Sequence, residues 1–260
     1  MESKLSLLMV VKDAEQTVKR SLDSTLSFVD EIVVVDNGSI DKTIETVKKY
    51  GSRVFPNKSV NLGKLRQFGL SKCRGEWVLV LDSDEIISKE LKEEIKSLLH
   101  RQAGKNQING YYIYFQNHLF GKPLKYGGEN YKKLVLFKKD KVIIKPDLVH
   151  EKFEVDGETS VLRNKILHYS YRTLGQIYRK FTDYAIREAK QKYFKDEKSS
   201  FKKIFLYPIH MFWARFINDK GYKDGLFRIP LDLGFAYMEF LTYCVLAIIR
   251  IKNYMFTLII

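Results

Sequence analysis

Short apolar runs and helical patterns alternate over the first hundred residues, and this alternation restricts the fold more than any other feature. The clearest runs are Leu5–Val11, Glu31–Val35 and Trp77–Leu81, and a weaker one lies at 53–55. Continuous apolar runs of this length are typical of strands buried on both faces of a parallel sheet. We therefore predict an α/β fold in which right-handed crossovers place helices on both faces.

Two capping-box patterns predict where helices begin. Asp13 and Gln16 predict a first helix that opens at Asp13, and Thr173 and Gln176 predict a long helix that follows Thr173. In a capping box the first side chain accepts a hydrogen bond from the backbone N–H three residues later. Each pattern therefore predicts one specific hydrogen bond.

The composition changes twice after the first hundred residues. From Gly110 onward, aromatic-rich runs at Tyr111–Phe115 and Lys133–Phe137 predict a mixed or antiparallel extension of the sheet that forms the second wall of a crevice. Beyond Ser199, aromatic residues are interleaved with lysine and arginine. That pattern is typical of a helix lying in a membrane interface, and equally of a helix packed on the core or on a partner subunit.

The charge balance limits the partners. The 260 residues include 45 Lys and Arg against 31 Asp and Glu, a formal net charge of +14. This excess predicts a polyanionic partner: nucleic acid, an anionic membrane face or a phosphorylated substrate. No RNP, KH or helix-turn-helix pattern occurs, so nucleic acid is not expected among the partners.

No G-x-G-x-x-G or G-x-x-x-x-G-K-[ST] pattern occurs either, which argues against a dinucleotide oxidoreductase and a P-loop NTPase.

Carboxylates directly follow the predicted strand Trp77–Leu81, in the order Asp82-Ser83-Asp84-Glu85. In open α/β sheets ligands bind outside the carboxyl ends of the strands, so Asp82 and Asp84 are expected to face a crevice there. Two carboxylates with no adjacent Cys or His suit Mg²⁺ or Mn²⁺ carrying phosphates better than they suit zinc. The alternative interpretation is a solvated turn that caps a helix beginning near Ser88.

Several features predict a cytoplasmic protein. No signal-peptide pattern is visible, and the longest uncharged apolar run, Phe240–Ile249, is too short for an ordinary membrane span. Cys73 and Cys244 lack metal-ligand spacing and are expected to be buried thiols in a reducing compartment.

Between Lys198 and Arg228 there are seven Lys or Arg and two Asp, which predicts binding to an anionic membrane surface.

Three segments together resemble the inverting nucleotide-sugar glycosyltransferases of family 2: Val35–Thr43, Asn61–Gly63 with Arg66, and Leu81–Glu85. The pairs Val149-His150-Glu151 and His168-Tyr169 are similar to the branch that contains bacterial lipopolysaccharide-core β-glucosyltransferases. The resemblance implies a GT-A fold and a divalent metal ion, Mn²⁺ or Mg²⁺. It also implies transfer of a hexose, with glucose favoured, from a UDP-sugar to a lipopolysaccharide-core or other lipid-linked or phosphorylated glycan. Such a protein would be peripheral at the cytoplasmic face of the inner membrane.

The same resemblance implies a role for each matching residue. Asp36 would contact the uracil or ribose of the donor, Arg66 the nucleotide, and Asp82 the ribose. Asp84 would hold the metal ion, and His168 would lie near that ion or the phosphates. The physical need is general, because a cation placed on a diphosphate leaving group stabilises the charge that develops there.

The base implied by the resemblance is Glu151, which would accept the proton of the attacking acceptor hydroxyl. The supporting residues would be Asp13, Asn61, Gly63 and His150. Two departures from the family pattern bear on substrate contacts. Val135 stands where relatives often have arginine, and Lys12-Asp13-Ala14 stands where they tend to have Asn-Glu. Both histidines also have a purely structural interpretation. In it, His150 orients a loop, and His168 is a core residue whose hydrogen bonds are satisfied.

We predict a glycosyltransferase domain at 1–195, with a donor half at about 1–105 and an acceptor half at about 106–195, followed by a basic aromatic helical extension at 196–260. Two other functions stay open on the sequence. One is a non-catalytic protein that binds a membrane surface or nucleic acid, and the other is a metal-dependent sugar-nucleotide hydrolase or nucleotidyltransferase. Ordered carboxylates at strand ends favour an enzyme, because a binding module has no use for a pair that suits a metal ion.

Overall fold

The computed structural model describes residues 4–102, 108–145 and 152–259. The described residues form two compact units. The first runs to Gln116 and from Tyr131 to Ser170, and the second comprises Asn117–Asn130 and the chain from Tyr171 onward. The functional boundaries placed near 105 and at 195 stay predictions.

Strands and helices follow one another along the described chain. The strands are β1 (Leu5–Val11), β2 (Glu31–Asp36), β3 (Arg53–Pro56), β4 (Trp77–Val80), β5 (Glu85–Ile87), β6 (Ile108–Leu119), β7 (Lys122–Pro123), β8 (Asn130–Lys138), β9 (Val142–Lys145), β10 (Lys152–Val155) and β11 (Glu158–Tyr171). The helices are α1 (Val18–Thr25), α2 (Thr43–Lys48), α3 (Leu62–Lys72), α4 (Lys89–Gln102), α5 (Leu174–Phe194), α6 (Phe201–Trp213) and α7 (Ile229–Ile259).

One sheet runs in the order β3-β2-β1-β4-β8-β6-β11-β5, with β7 paired to β6. β1 pairs in parallel with β2 and β4, and β2 pairs in parallel with β3. β4 and β8 pair antiparallel, as do β5 and β11, and β9 and β10 form a separate antiparallel pair. A parallel half followed by an antiparallel extension confirms the mixed α/β sheet that the sequence predicted.

The central strands of this sheet are buried on both faces, which explains their continuous apolar sequences. In β1, Leu7 and Met9 belong to one core together with Val18 of α1. Leu8 belongs to another core together with Leu65 of α3. Successive side chains of a strand point to opposite faces, so α1 and α3 cover opposite sides of the sheet. The prediction of helices on both faces is confirmed.

The first helix begins later than its capping-box pattern predicted. α1 starts at Val18 and has no side-chain cap. Asp13 instead adopts a φ of +48°, and its carboxylate accepts from the N–H of Ile40 at 2.8 Å. The prediction of a helix opening at Asp13 was therefore wrong, because the loop after β2 takes up that carboxylate. The second pattern was right: the hydroxyl of Thr173 accepts from the N–H of Gln176 at 3.3 Å, and α5 follows.

In the second unit, α5 and α6 both pack against α7. One of its apolar cores consists of Leu119, Leu124, Tyr171, Ile177, Phe181 and Leu231. Beside the start of α7, the fully buried Arg228 donates to Asp232 and to the carbonyl of Gly127, each at 2.8 Å. Arg215 pairs with the buried Glu129. These internal charges are paired and hydrogen-bonded, as a low-dielectric interior requires.

One helical stretch among the described residues, Leu226–Ile251, is long and apolar enough to cross a membrane, with a mean hydropathy of 1.5 and 28% of its most apolar window buried. Helices in the core of a globular protein meet the same criteria of length and composition. The uncharged run Phe240–Ile249, too short on its own, is thus part of a much longer helix, which α5 and α6 cover in part.

Candidate active site

Four loops follow the carboxyl ends of the parallel strands β1, β2, β3 and β4 at one edge of the sheet. The strand register pairs Val11 with Asp36 and Asp36 with Pro56, so the first three strands end level with one another. β4 runs parallel beside β1 and leads into Asp82. Asp36 and Asp82 therefore lie at the edge where ligands bind in open α/β sheets.

Asp36 and Asp13 shape the first two of these loops. The carboxylate of Asp36 accepts from the N–H of Ser39 at 2.9 Å and so closes the turn after β2. The hydroxyl of Ser39 accepts in turn from the N–H of Asp13 at 3.1 Å. The structure thus brings these two predicted site residues together, while their contacts with a donor stay predictions.

Asn61 and Gly63 form the N-terminus of α3. The side-chain oxygen of Asn61 accepts from the N–H of Lys64 at 3.0 Å, which caps the helix. Gly63 is buried in the first turn. This cap fixes where α3 begins, and Arg66 follows one turn later on the same helix.

Arg66 pairs with Asp82. Arg66 is 7% exposed, and its guanidinium donates to the Asp82 carboxylate at 2.5 Å. α3 comes this close to the sheet because residue 69 is glycine, since a Cβ atom there would lie 2.8 Å from the Cγ2 of Val35 and would also collide with Leu8. Burial by itself disfavours the charged form of Asp82, but the nearby cations, Arg66 first and then Lys133, together outweigh that effect and lower the pKa of the carboxyl.

Glu85 belongs to the same site, although the sequence suggested no role for it. Its side chain is 3% exposed and accepts from the N–H of Asp82 at 2.8 Å. Burial, followed by repulsion from Asp82, raises the pKa of Glu85 to about 7. The carboxyl therefore holds the turn that presents Asp84. The run of acids is visible in the sequence, but the burial of its last member is not.

The alternative interpretation of the acidic stretch, a turn that caps the next helix, describes the residues just beyond it. The hydroxyl of Ser88 accepts from the N–H of Leu91 at 3.1 Å, at the start of α4. This cap lies after β5, and it leaves Asp82 and Asp84 at the end of β4.

His168 lies beside Asp84 because of the pairing between β5 and β11. That antiparallel ladder places His168 opposite Glu85, and the N–H of Tyr169 donates to the carbonyl of Asp84 at 2.9 Å. The Nε2 of His168 is 3.4 Å from the Oδ2 of Asp84, and the two side chains are 12% and 28% exposed. The structure therefore brings together the two residues expected near a metal ion.

An aromatic pair supports His168 from the side away from Asp84. The hydroxyl of Tyr131 lies 3.4 Å from the Nδ1 of His168. The ring of Tyr131 stacks on Phe115 at 5.4 Å, and Phe115 meets His168 edge-on at 6.2 Å. A partner on Nδ1 orients an imidazole so that Nε2 faces the ligand position. Sequence reasoning missed Tyr131, for which the aromatic composition of β8 was the one available signal.

The chain matches the model of glycosyl transferase family 2 over residues 6–168, more than half of its length. It belongs to glycosyl transferase family 2. The matched range begins in β1 and ends at His168, so it contains the whole acidic edge of the sheet. Membership confirms the family resemblance, and the mixed sheet with flanking helices is the GT-A architecture that the resemblance implied.

Three known proteins illustrate the similarity. An uncharacterized glycosyltransferase of Rickettsia typhi is 26% identical over 272 residues, which cover 96% of this chain and 89% of that protein. A dolichyl-phosphate beta-glucosyltransferase of Trichomonas vaginalis is 36% identical over 118 residues, 36% of each chain. The structure of S. aureus TarS 1–349 in complex with UDP-GlcNAc is 16% identical, with a TM-score of 0.49 over 96% of this chain and 92% of that one. The likeness to the Rickettsia protein therefore extends over both compact units.

The family 2 site offers few protein ligands for a metal ion. Within the described ranges, no group of three or more His, Cys, Asp or Glu side chains is placed to hold one. Asp84 and His168 together offer one carboxylate and one imidazole, 3.4 Å apart. Asp84 and His168 are the residues that would hold a Mn²⁺ or Mg²⁺ ion, and a carboxylate and an imidazole are donors that such an ion can accept.

Three sequence expectations concern the acceptor side. Glu151, the expected base, and His150 lie outside the described residues, so their roles stay predictions. Val135, which stands in place of a family arginine, is 5% exposed and packs in the core of the first unit. It therefore offers neither charge nor hydrogen bond to a substrate.

Proposed function

We propose that this family 2 glycosyltransferase transfers a hexose, with glucose favoured, from a UDP-sugar to a lipopolysaccharide-core or other lipid-linked or phosphorylated glycan, with inversion at the sugar. The observation that carries the proposal is the pairing of Asp84 with His168 beside the Asp82–Arg66 ion pair, at the carboxyl edge of the parallel strands. Oxygen and imidazole donors next to a carboxylate held ionised suit a nucleoside diphosphate and a divalent cation.

Asp84 and His168 would hold the divalent ion. When bound, such an ion neutralises charge that develops on a departing diphosphate. The residues themselves do the positioning: the β5–β11 ladder fixes His168, and Glu85 holds the turn that carries Asp84. Asp36 and Asp82, at the ends of β2 and β4, would contact the uracil and ribose, and Arg66 would keep Asp82 ionised and oriented for this task.

Glu151 is the proposed base. An inverting transfer needs a carboxylate on the face opposite the leaving group, where it takes the proton of the attacking hydroxyl. Glu129 does not fit this role, because it is buried and paired with Arg215 and Arg228. The substitution Glu151→Gln should preserve UDP binding and reduce transfer by roughly 10²- to 10⁴-fold.

The decisive experiment measures UDP affinity calorimetrically with and without Mn²⁺. Asp84→Asn and His168→Ala should each lower the Mn²⁺-dependent part of the affinity by about tenfold or more, and chelation with EDTA should do the same to the wild type. His210→Ala is the matched control, because His210 is exposed on α6 and belongs to the second unit. Undiminished Mn²⁺-dependent UDP binding and sugar transfer in Asp84→Asn would refute the metal assignment.

We further propose that the enzyme is peripheral at the cytoplasmic face of the inner membrane. Five apolar residues of α6 are between 47% and 77% exposed, and together we call them the α6 apolar face: Phe201, Phe205, Leu206, Ile209 and Trp213. Exposed lysines lie near these residues in the sequence, at 198, 202, 220 and 223. Exposed apolar side chains together with nearby basic residues suit an anionic bilayer, where a lipid-linked acceptor would be presented. The name of the Trichomonas relative, which specifies a lipid phosphate, is consistent with such an acceptor.

The structure corrects one part of the charge argument for this surface. Arg228 is fully buried and Arg215 is paired with Glu129. Two of the seven basic residues between 198 and 228 therefore serve the interior of the second unit and cannot face a lipid headgroup. The electrostatic contribution to membrane binding is smaller than the sequence count implies.

A further inference from the structure

Lys133 is an exposed lysine of β8 that lies level with the acidic edge. β8 pairs antiparallel with β4, with Leu79 opposite Leu136. If this register is continued toward the end of β4, Lys133 lies level with Asp82. Residues directly opposite in an antiparallel pair project to the same face of a sheet, so Lys133 and Asp82 share a face.

The ammonium group of Lys133 lies close to the proposed metal site. Its Nζ is 5.0 Å from the ring centroid of Phe115 and 5.4 Å from that of Tyr131. Tyr131 is the residue whose hydroxyl contacts His168. The strand register and the ring contacts thus place a cation beside the carboxylates.

We propose that Lys133 binds the diphosphate of the nucleotide-sugar donor, an assignment that rests on the proposed function and adds a residue to its site. The substrate class is a nucleoside diphosphate, whose oxygens would accept from the lysine ammonium. The carboxylates of Asp82 and Asp84 stand at this edge, and like charges repel a diphosphate unless cations lie between them. A divalent ion on Asp84 supplies one such cation, and Lys133 supplies a second from the facing strand.

The placement of Lys133 also allows it to move onto a ligand. Attraction to an aromatic face at an exposed site is weak, whereas a hydrogen bond between an ammonium and a phosphate oxygen is charge-assisted and stronger. Lysine has a flexible four-carbon stem, so its ammonium can leave the rings of Phe115 and Tyr131 for a phosphate. Val135, two residues along the same face of the strand, is buried and cannot provide this contact.

The neighbouring Lys132 provides a matched control. It is also exposed, and its Nζ lies 5.6 Å from the ring of Tyr112. Adjacent residues of a strand point to opposite faces, so Lys132 carries the same charge on the other side of β8. Lys133→Met and Lys132→Met therefore change the net charge equally and differ in the face from which the charge is lost.

The experiment is a set of calorimetric titrations of the 260-residue chain in Mn²⁺ with UDP, uridine and inorganic pyrophosphate, and of the UDP-saturated chain with inorganic phosphate, each at low and high salt. Lys133→Met should weaken UDP and pyrophosphate binding by about 10- to 100-fold, leave any uridine binding unchanged and reduce the salt dependence of UDP affinity. Lys133→Arg should retain most of the affinity, and Lys132→Met should behave like the wild type.

Two results would overturn the proposal. One is equal UDP and pyrophosphate affinity in Lys133→Met and in the wild type. The other is unchanged UDP affinity combined with loss of inorganic phosphate binding in the UDP-saturated enzyme, which would assign the lysine to an acceptor phosphate. Failure of the proposed function is a separate result: a wild type that binds pyrophosphate through Lys133 but no UDP would retain the anion site and refute the UDP donor.

Discussion

The guanidinium of Arg66 and the carboxylate of Asp82, 2.5 Å apart, join α3 to the end of β4. The two side chains are 8% and 34% exposed, so water screens this ion pair less than it screens a surface pair. We predict that Arg66→Met lowers the free energy of unfolding by about 2 kcal/mol, because it leaves a partly buried carboxylate unpaired. A double-mutant cycle with Asp82→Asn, measured by urea denaturation, should give a coupling energy of about 1–3 kcal/mol.

The exposed pair Lys19–Asp23 is the reference for this cycle. Its side chains are 67% and 47% exposed, and it spans one turn of α1. A pair of that kind contributes about 0.3–0.5 kcal/mol. A coupling for Arg66 and Asp82 no larger than this value would mean that the ion pair does not hold α3 in place.

Gly69 permits the approach of α3 to the sheet. A Cβ atom at this position would collide with Leu8 and would lie 2.8 Å from the Cγ2 of Val35, two residues that are fully buried. Gly69→Ala should therefore lower the free energy of unfolding by about 1–3 kcal/mol, despite the better helix propensity of alanine. It should also weaken UDP binding, because α3 carries Arg66.

Gly175 shows the opposite expectation for the same substitution. It lies in the first turn of α5, and a Cβ atom there would meet nothing within 4 Å. Gly175→Ala should be neutral or should stabilise the protein by up to about 1 kcal/mol. Thermal and urea denaturation of the two variants together separate a steric effect from the change in backbone entropy. Equal changes in the free energy of unfolding would show that a Cβ atom at residue 69 fits without displacing Leu8 or Val35.

Much of the fold follows from local sequence. Residues such as Leu7, Leu8 and Met9 are apolar without a break, and this pattern predicts a strand covered on both faces wherever it stands in the chain. The prediction at Asp13 failed for a physical reason: a carboxylate that can cap its own helix can equally accept from a loop distant in sequence, and Ile40 provides that donor. Local patterns do not record such competition.

The site shows the same limit more sharply. Asp82 and Asp84 could be found because they follow a buried strand in sequence. The distance from Asp84 to His168 depends on the ladder between β5 and β11, whose register sequence periodicity does not define. The sequence suggested no role for Lys133, and its place at the acidic edge depends on the pairing of β8 with β4. Residues brought in by antiparallel pairing over long separations are therefore the ones that sequence reasoning misses.

Glu197 connects α5, α6 and α7 in the second unit. It accepts from Lys203 at 2.7 Å, from the hydroxyl of Tyr243 at 2.9 Å and from Lys192 at 3.2 Å. Burial alone would raise the pKa of this carboxyl, but the three donors outweigh burial and lower its pKa to about 2. A carboxyl whose pKa is lowered on folding stabilises the protein above its ordinary pKa of 4.5, and this stabilisation is lost as the pH falls through about 2.

Glu197→Gln should therefore cost about 2 kcal/mol of unfolding free energy at neutral pH, and progressively less below pH 4.5. Thermal unfolding from pH 7 to pH 2.5 measures the difference between the variant and the wild type. Glu45→Gln, which removes an exposed partner of Lys49 on α2, is the control and should have little effect at any pH. A difference for Glu197→Gln that does not shrink on acidification would contradict the assigned ionisation.

The α6 apolar face should bind an anionic bilayer through its apolar side chains, with the flanking lysines adding attraction that salt screens. Ile209 and Trp213 are 66% and 56% exposed, so replacing both by glutamate should leave the fold intact. In co-sedimentation with phosphatidylglycerol vesicles, we expect the variant Ile209→Glu/Trp213→Glu to bind at least about tenfold more weakly than the wild type. High salt should weaken wild-type binding without abolishing it, because apolar insertion is not screened.

Leu26→Glu/Ile143→Glu is the matched control for this experiment. Leu26 and Ile143 are 54% and 62% exposed, so the variant adds the same two charges at comparable apolar positions of the first unit. It should co-sediment like the wild type, apart from a small loss from its changed net charge. If the wild type stays in the supernatant with anionic vesicles at low salt, or if both variants bind equally well, the α6 apolar face packs against a protein surface instead of a membrane. The net charge of +14 would then attract a phosphorylated acceptor.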